Sequence, residues 1–274
     1  MICIFTPEKK TSNNIITGNQ QTAIRYQTIL KNLRINSEII SDSMSFKNWE
    51  KTLGFIILHG SKGHSLAIQC IEKKIPYALV LTGTDIYSDI KKNNTLKFKK
   101  CLESVFGAKL LIVLQEHAKK EILKIIPELE KKILVIHQSS QVEKPKKIKR
   151  KIGKSISVLM IGNFRREKDQ LTGIIGFNDL FKNQKMKSHH KVFLTHIGCN
   201  LDSGYANLVK KSAKNNKQIK FLGYVNHKKT MEILLKSDLF LNTSIVEGSC
   251  LALKEAIDLR VPVLLSNNSC HMTI

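Results

Sequence analysis

Short apolar segments alternate with helix-like segments along the chain, and this order limits its possible folds. Gly54–Leu58 and Tyr77–Leu81 are too short for helices, and each is followed by small or polar residues. Strands that alternate with helices favour right-handed βαβ crossovers and a parallel sheet. Strands that are apolar throughout are expected where both faces of a sheet are covered. The sequence therefore predicts an α/β protein.

The pattern occurs twice, in two successive halves of the chain. Six strands are predicted in the first half, at Ile2–Phe5, Glu38–Ile40, Gly54–Leu58, Tyr77–Leu81, Leu110–Leu114 and Ile133–Ile136. Five are predicted in the second half, at Ser155–Ile161, Val192–Ile197, Ile219–Leu222, Leu239–Asn242 and Pro262–Leu265. The spacing of apolar residues predicts helices at Asn19–Leu33, Leu66–Ile71, Phe98–Phe106, a segment ending near Ile126, Lys168–Phe181, Tyr205–Lys214, Lys229–Lys236 and Cys250–Leu259.

Two domains are expected, because 274 residues suit two units of about 100–200 residues. We predict a first Rossmann-like domain at 1–140, a basic linker at 141–154 and a second Rossmann-like domain at 155–274. The run Lys144–Lys154 is either a solvated linker or a nuclear-localisation or nucleic-acid patch. Its position between complete βα units favours the linker. Ligands bind beyond the carboxyl ends of such strands, so the site is expected in a cleft between the halves.

The net charge of +23 allows two explanations. It is compatible with nucleic acid or an anionic membrane surface. However, only 6 of the 45 basic residues are arginine, the residue that base-reading and phosphate-clamping surfaces favour. The excess of lysine, isoleucine and asparagine is also what an AT-rich coding sequence produces. We therefore predict no nucleic-acid partner, while an anionic small substrate remains compatible with the charge.

Features of secreted, membrane-spanning and metal-binding chains are lacking in the sequence. No apolar run approaches the roughly 20 residues of a membrane span, and the start lacks a signal-peptide layout. We therefore expect a cytoplasmic protein. The six cysteines form no CxxC pair and the histidines no HExxH motif, so neither a metal site nor a disulfide framework is expected.

Two glutamates in Ser244–Ala256 form the strongest chemical signal. Glu247 follows a predicted strand, and Glu255 lies eight positions later in the next helix. Carboxylates accept neighbouring hydroxyl donors, so Glu247 is a candidate for sugar hydroxyls and Glu255 for the ribose of a nucleotide. Gly248 allows close backbone approach, and helix amides near Cys250 are suited to phosphate. The alternative is a loop charge and a surface helix residue.

The Ser244–Ala256 pattern resembles the donor-site signature of GT-B glycosyltransferases of the family 4 type. The segment Gly162–Lys168 resembles the diphosphate-binding segment of that family, with Lys168 matching the lysine that faces the donor diphosphate. Asn163 stands where the family usually has arginine, and Arg165 or Arg166 is the candidate to supply that charge. Fixed cations would stabilise the charge that develops on the leaving diphosphate. The alternative is a solvated basic turn.

Segments of the first half narrow this resemblance to the selenosugar synthases of selenoneine biosynthesis. They are Thr17–Ala23, Leu81–Tyr87, Val113–Gln115 and His137–Ser139. The resemblance extends from about Ile2 to Leu265. It implies a GT-B enzyme that joins the sugar of a UDP-sugar, typically UDP-N-acetylglucosamine, to selenium of selenophosphate. The products would be a 1-selenosugar, UDP and phosphate. Gln20 stands where arginine would be expected.

Three positions of the first half are candidates on the acceptor side, each with an alternative. Gly18-Asn19 at a helix start suits an anion, or is a turn that caps the helix. Asp85 at the end of a strand can orient the acceptor or the sugar, or cap a helix. His59 can contact the acceptor, or be a core histidine. Selenophosphate is already a good nucleophile, so no general base is assigned.

The candidate catalytic residues are thus Lys168, Glu247 and Asp85. The candidate substrate-binding residues are Gly18, Asn19, His59, Thr84, Gly162, Arg165, Arg166, Ser244, Gly248, Ser249, Cys250 and Glu255. No cofactor or metal is expected besides the UDP-sugar, which is a substrate. The alternatives are a GT-B transferase with a hydroxyl acceptor, for which a basic surface would assist peripheral membrane contact, and an inactive nucleotide-sugar-binding protein.

The end of the sequence departs from the GT-B pattern. A second GT-B domain normally continues beyond the strand that corresponds to Pro262–Leu265 and finishes with a helix that returns to the first domain. The resemblance therefore implies that one or two βα units, each of about 30 residues, are lacking. We expect an incomplete second domain.

Overall fold

A computed structural model describes residues 1–7, 17–91, 95–140, 142, 145, 153–182 and 191–268 of the chain. The chain divides into two compact units, residues 1–138 and a second unit that begins at Ser139. Most of the predicted linker, 141–154, lies outside the described residues. Cys270 and the other residues after Asn268 do so as well.

Unit 1 is a six-stranded sheet with helices between its strands. The strands are β1 (Ile2–Phe5), β2 (Ser37–Ile40), β3 (Gly54–Leu58), β4 (Tyr77–Leu81), β5 (Leu110–Val113) and β6 (Ile133–Val135). The helices are α1 (Gly18–Asn32), α2 (His64–Glu72), α3 (Leu96–Gly107) and α4 (Glu116–Leu123). The strands are all parallel, in the order β2-β1-β3-β4-β5-β6.

Unit 2 repeats this architecture with five strands among its described residues. The strands are β7 (Ser155–Ile161), β8 (Lys191–Ile197), β9 (Ile219–Gly223), β10 (Leu239–Asn242) and β11 (Val263–Leu265). The helices are α5 (Gln170–Lys182), α6 (Ser203–Ala213), α7 (His227–Lys236) and α8 (Leu251–Asp258). This sheet is also parallel, in the order β11-β10-β7-β8-β9.

The strand orders locate the positions where ligands bind in such sheets. In unit 2 the chain moves outward from β7 to β9 and then returns to β10 on the other side of β7. In unit 1 the corresponding reversal lies between β1 and β3. Open α/β sheets bind ligands outside the carboxyl ends of the strands at such a reversal. In unit 2, these are the loops that begin at Gly162 and Thr243.

Each sheet is covered by apolar side chains on both faces, which explains the apolar character of its strands. Successive residues of a strand point to opposite faces. In unit 1, Cys3 and Phe5 belong to one core cluster and Ile4 to another. In unit 2, Val158 and Met160 pack in one cluster and Leu159 in another. The predicted α/β fold class with two parallel sheets is confirmed.

The predicted elements agree with the structure except at their ends and in four short turns. Helices begin and end within a few residues of the predicted positions. No 3₁₀ turn was predicted at Trp49–Lys51, Pro127–Lys132 or Arg166–Lys168, and no π-helical turn at Asp85–Ile90. Within the described residues, no helix combines the length and the hydrophobicity that crossing a membrane requires.

Candidate functional site

The centre of the candidate site in unit 2 is an ion pair at the carboxyl edge of the sheet. The Nζ atom of Lys168 lies 2.7 Å from Oε1 and 2.8 Å from Oε2 of Glu247. Lys168 ends a 3₁₀ turn after β7, and Glu247 lies in the loop after β10. These strands are neighbours on either side of the order reversal. The structure therefore brings together two candidate catalytic residues that are 79 positions apart.

The loop after β10 holds Glu247 with hydrogen bonds from its own residues. Ser244 Oγ donates to Glu247 Oε1 at 2.7 Å, and Asn242 Nδ2 donates to the same oxygen at 3.4 Å. Asn242 Nδ2 also contacts the sulfur of Cys250 at 3.0 Å, while its Oδ1 accepts from the Ser244 amide at 2.8 Å. Ser244 and Cys250 thus both contact Asn242, and these contacts stabilise the conformation of the loop.

The same loop is attached to the segment that carries Lys168. Thr243 Oγ1 donates to the carbonyl of Asp169 at 2.7 Å, and the Ile245 amide donates to the carbonyl of Glu167 at 2.9 Å. Asp169 itself has a φ of 41°, in the left-handed region that aspartate tolerates better than most residues. The ammonium and the carboxylate are therefore both held by fixed backbone.

The ion pair keeps both groups charged although the site is largely closed to water. Burial disfavours the carboxylate of Glu247, but Lys168, Ser244 and Asn242 outweigh it, and the pKa of Glu247 is lowered. Burial likewise opposes the ammonium of Lys168, but Glu247 and Cys250 outweigh it and its pKa is raised. The Glu247 side chain is 5% exposed, whereas that of Lys168 is 30% exposed. Lys168 therefore presents the accessible charge, and Glu247 orients it.

The turn after β7 is fixed by two buried side chains. His196 on β8 donates from Nε2 to the carbonyl of Gly162 at 2.9 Å. Gln170 at the start of α5 donates from Nε2 to the carbonyls of Gly162 and Asn163, at 3.3 and 2.9 Å. Asn163 Oδ1 accepts from the Cys199 amide at 2.8 Å. Asn163, which replaces the expected arginine, is thus a structural part of the turn.

His196 makes stability depend on pH. It is 1% exposed, and burial, with a smaller effect of Lys210, lowers its pKa to about 4, against the hydrogen bond to Gly162. The pKa of His196 in the folded chain lies below its ordinary value of about 6.5. Between about pH 4 and pH 6.5 the unfolded chain therefore binds the proton more readily than the folded chain. The contribution of neutral His196 to the free energy of unfolding is therefore fully present above about pH 6.5 and is lost as pH decreases towards 4.

We expect His196→Gln to remove this dependence, since a glutamine amide can still donate to Gly162. Between pH 7 and pH 5 the wild-type chain should lose about 2 kcal/mol more of its unfolding free energy than the variant. Urea unfolding at both pH values measures the difference. Equal losses would show that His196 is not a buried neutral histidine.

Glu255 lies on α8, 3% exposed, and its Oε1 is 2.8 Å from His227 Nε2. Helix α8 begins immediately after Cys250, which is the N-cap residue. The hydroxyl of Ser249 is buried and has no hydrogen-bond partner in the described part of the chain. With Gly248, these residues form the predicted helix start at the carboxyl edge of the sheet. The contact of Glu255 with His227 was not anticipated.

Arg165 and Arg166, the two arginines near Lys168 in the sequence, differ in their exposure and in their contacts. Arg166 is exposed, with its Nε 4.0 Å from Asp202 Oδ2. Arg165 is half-buried and its charge opposes the raised pKa of Lys168, although other groups outweigh it. Their predicted role as phosphate contacts therefore stays a prediction.

In unit 1, Asp85 organises a loop at the carboxyl edge of the sheet. Its carboxylate is fully buried and accepts backbone N–H groups of Gly60 at 3.2 Å, Thr82 at 3.0 Å, Gly83 at 2.8 Å and Ile86 at 3.1 Å. The sequence left open whether Asp85 contacts substrate or caps a helix. The geometry supports a role in positioning the loops after β3 and β4.

His59 lies beside Asp85 in a strained conformation. Its φ is 77°, it is 2% exposed, and its Nε2 is 3.0 Å from Thr84 Oγ1. Nδ1 has no hydrogen-bond partner among the described residues and lies 3.9 Å from Asp85 Oδ2. Burial lowers the pKa of His59, against the opposing effect of Asp85. A strained histidine with a buried unpaired nitrogen is suited to a ligand, which keeps His59 and Thr84 as acceptor-side candidates.

The start of α1 is capped by Thr17. Its Oγ1 accepts from the Gln20 amide at 3.4 Å, and Gln20 Oε1 accepts from the Thr17 amide at 2.9 Å. This reciprocal arrangement is a capping box. Gln20, where the resemblance led us to expect arginine, therefore stabilises the helix. Gly18 is exposed and Asn19 half-buried in the first turn, and anion binding there stays a prediction.

Comparison with known proteins identifies one matching family and several similar structures. Residues 141–274 match the family described as glycosyl transferases group 1. HepE of Anabaena, solved with UDP and glucose, has a TM-score of 0.69 and 13% identity over 99% of this chain and 82% of its own. A TarM variant of S. aureus, solved with fondaparinux, α-GlcNAc-glycerol and UDP, has a TM-score of 0.59 and 18% identity over 77% of this chain and 41% of its own.

OtsA without ligand has a TM-score of 0.59 and 15% identity over 77% of this chain and 57% of its own. The chain thus spans little more than half of OtsA and less than half of TarM. No significant sequence match to a curated protein was found. The two parallel sheets and the solved structures show that this chain has the GT-B fold, and its second half, residues 141–274, matches the family of group 1 glycosyl transferases.

Proposed function

We propose that the chain transfers a sugar from a nucleotide-sugar donor. The observation that carries this proposal is the Lys168–Glu247 pair, which lies beside the strand-order reversal of unit 2, where open α/β sheets bind nucleotides. A buried carboxylate fixes an accessible ammonium at this edge, next to the start of α8. A cation and helix amides in one place are suited to a diphosphate.

The residues present can contribute to breaking the bond between sugar and diphosphate. Negative charge develops on the leaving phosphate oxygen as the bond breaks. An ammonium that is already oriented stabilises this charge without reorganisation, and its effect is largest where water is excluded. Two contacts of Lys168 go to Glu247, and the ammonium has three N–H donors, so that one can point to the phosphate.

The donor we propose is a UDP-sugar, and more specifically UDP-N-acetylglucosamine. Two of the similar structures, HepE and TarM, were solved with UDP. The TarM structure also holds α-GlcNAc-glycerol, which contains the proposed sugar. The glutamate pair Glu247 and Glu255 resembles the donor signature of family 4 enzymes. No metal is part of this proposal.

The acceptor we propose is selenophosphate, giving a 1-selenosugar, UDP and phosphate. The support is the resemblance of Thr17–Ala23 and Leu81–Tyr87 to selenosugar synthases. His59 and Thr84 lie at the same edge of the unit 1 sheet as these segments and would contact the acceptor. The second candidate is a hydroxyl acceptor, which the glycerol-linked sugar in TarM favours.

The test is UDP release from UDP-N-acetylglucosamine, measured anaerobically with and without selenophosphate. Selenophosphate-dependent release together with a selenosugar product would support the full proposal. Release that depends on glycerol or another alcohol would favour the hydroxyl acceptor. UDP binding without release under any condition would contradict transfer and indicate a nucleotide-sugar-binding protein.

Glu255→Ala should weaken UDP binding. The variant lacks the carboxylate and would therefore lose its charge-assisted hydrogen bonds to ribose, each worth about 1.5–3 kcal/mol. Titration calorimetry with UDP compares the variant with the wild type and with Asp258→Ala, which alters a carboxylate at the end of the same helix. Unchanged UDP affinity of Glu255→Ala would contradict the ribose assignment.

A further inference from the structure

His227 is the first residue of α7, and its neighbours hold its backbone in place. The side chain of Asn226 caps the helix by accepting from the Lys229 amide at 2.9 Å. Thr230 Oγ1 donates to the carbonyls of Val225 and Asn226, at 3.2 and 2.9 Å. The imidazole therefore starts from a fixed backbone position.

The ring of His227 reaches the buried Glu255 on the neighbouring helix α8. Its Nε2 lies 2.8 Å from Glu255 Oε1. A carboxylate is acceptor-only, so Nε2 must carry the proton in this contact. The His227 side chain is 40% exposed and that of Glu255 is 4% exposed. The histidine therefore connects an otherwise enclosed carboxylate to the accessible side of the unit.

We infer that His227 is a positioning residue for the nucleoside, which fixes the Glu255 carboxylate so that it accepts the ribose hydroxyls. This inference rests on the proposed function, because it assigns Glu255 to the ribose. Each carboxylate oxygen has two lone pairs, so the contact with His227 leaves capacity for hydroxyl donors. The expected consequence is selectivity for ribonucleotides over nucleotides that lack these hydroxyls.

Ligand comparison separates this role from a general effect on charge or stability. UDP and 2′,3′-dideoxy-UDP are titrated into the wild type and into His227→Ala, His227→Gln and Lys228→Ala. Glutamine places its amide nitrogen close to the position of Nε2, so it can keep the contact. Lys228→Ala removes a neighbouring positive charge and leaves the contact intact.

We expect His227→Ala to bind UDP about tenfold more weakly, as for the loss of one hydrogen bond. Its affinity for dideoxy-UDP should equal that of the wild type. His227→Gln should recover most of the UDP affinity, and Lys228→Ala should reduce both affinities equally or not at all.

Two results would overturn the inference alone: an equal fold-loss of affinity for both ligands in His227→Ala, or an affinity for UDP that His227→Ala leaves unchanged. A folded wild-type chain that binds no UDP would overturn the proposed donor and the inference with it. The two failures are therefore distinguishable in one set of titrations.

Discussion

Replacement of Lys168 by methionine is expected to reduce sugar transfer by about 10²–10³-fold, the range found when one group that stabilises developing negative charge is removed. Methionine has a similar length and no charge. UDP binding should fall by a smaller factor, because charge on the leaving phosphate is greatest in the transition state. Rates of UDP release and calorimetric affinities measure the two effects separately.

The same substitution should also destabilise unit 2. Glu247 would remain 5% exposed with its negative charge uncompensated, and breaking one side of a buried pair costs about 3–5 kcal/mol. Glu247→Gln should cost less, because Lys168 is 30% exposed and can contact water.

The double variant Lys168→Met/Glu247→Gln separates the two roles of the pair. It has no buried charge, so it should recover much of the lost stability, yet it has no ammonium and should stay inactive. Lys214→Met, an exposed lysine at the end of α6, controls for the loss of one surface charge. A folded double variant that releases UDP at the wild-type rate would contradict a role for Lys168 in transfer.

The strands could be predicted because a sheet covered on both faces requires continuous apolar segments. The helices followed from the spacing of their apolar residues. Glu247 and Glu255 were proposed from their positions in the loop and the helix after a predicted strand, and Lys168 from the resemblance of its segment to a diphosphate-binding segment. What could not be predicted was the contact of Lys168 with Glu247. It depends on β10 lying next to β7, and a strand order is a property of the whole sheet rather than of either segment.

Supporting residues were missed for a related reason. His196 lies in an apolar strand, and its hydrogen bond goes to a backbone carbonyl that no sequence pattern marks. His227 stands in a polar segment without a motif. In contrast, the spacing of Thr17 and Gln20 is that of a capping box, which explains Gln20 without an anion.

Gly198 lies where the backbones of neighbouring segments meet at the site. A Cβ added there would be 2.0 Å from the carbonyl oxygen of Gly162, 2.5 Å from its carbonyl carbon and 2.9 Å from the Asn163 nitrogen. The Gly198 amide also donates to the carbonyl of Gly223 at 2.9 Å. All these atoms are backbone, so no side chain can move aside to make room.

Gly198→Ala is therefore expected to lower the stability of unit 2 by about 3 kcal/mol or more, at the upper end of overpacking effects. Gly176→Ala is the matched control, because a Cβ there meets nothing within 4 Å and alanine favours its helix, α5, by up to about 1 kcal/mol. Urea unfolding, followed by a spectroscopic signal from residues of unit 2, compares the unfolding free energies of the two variants. At low temperature, where Gly198→Ala still folds, UDP affinity should also fall, since any relaxation displaces the Gly162–Asn163 turn beside Lys168. If Gly198→Ala were as stable as Gly176→Ala, the Gly162–Asn163 turn would not lie as close to Gly198 as the structure has it. If its UDP affinity were also unchanged, the turn would not contribute to nucleotide binding.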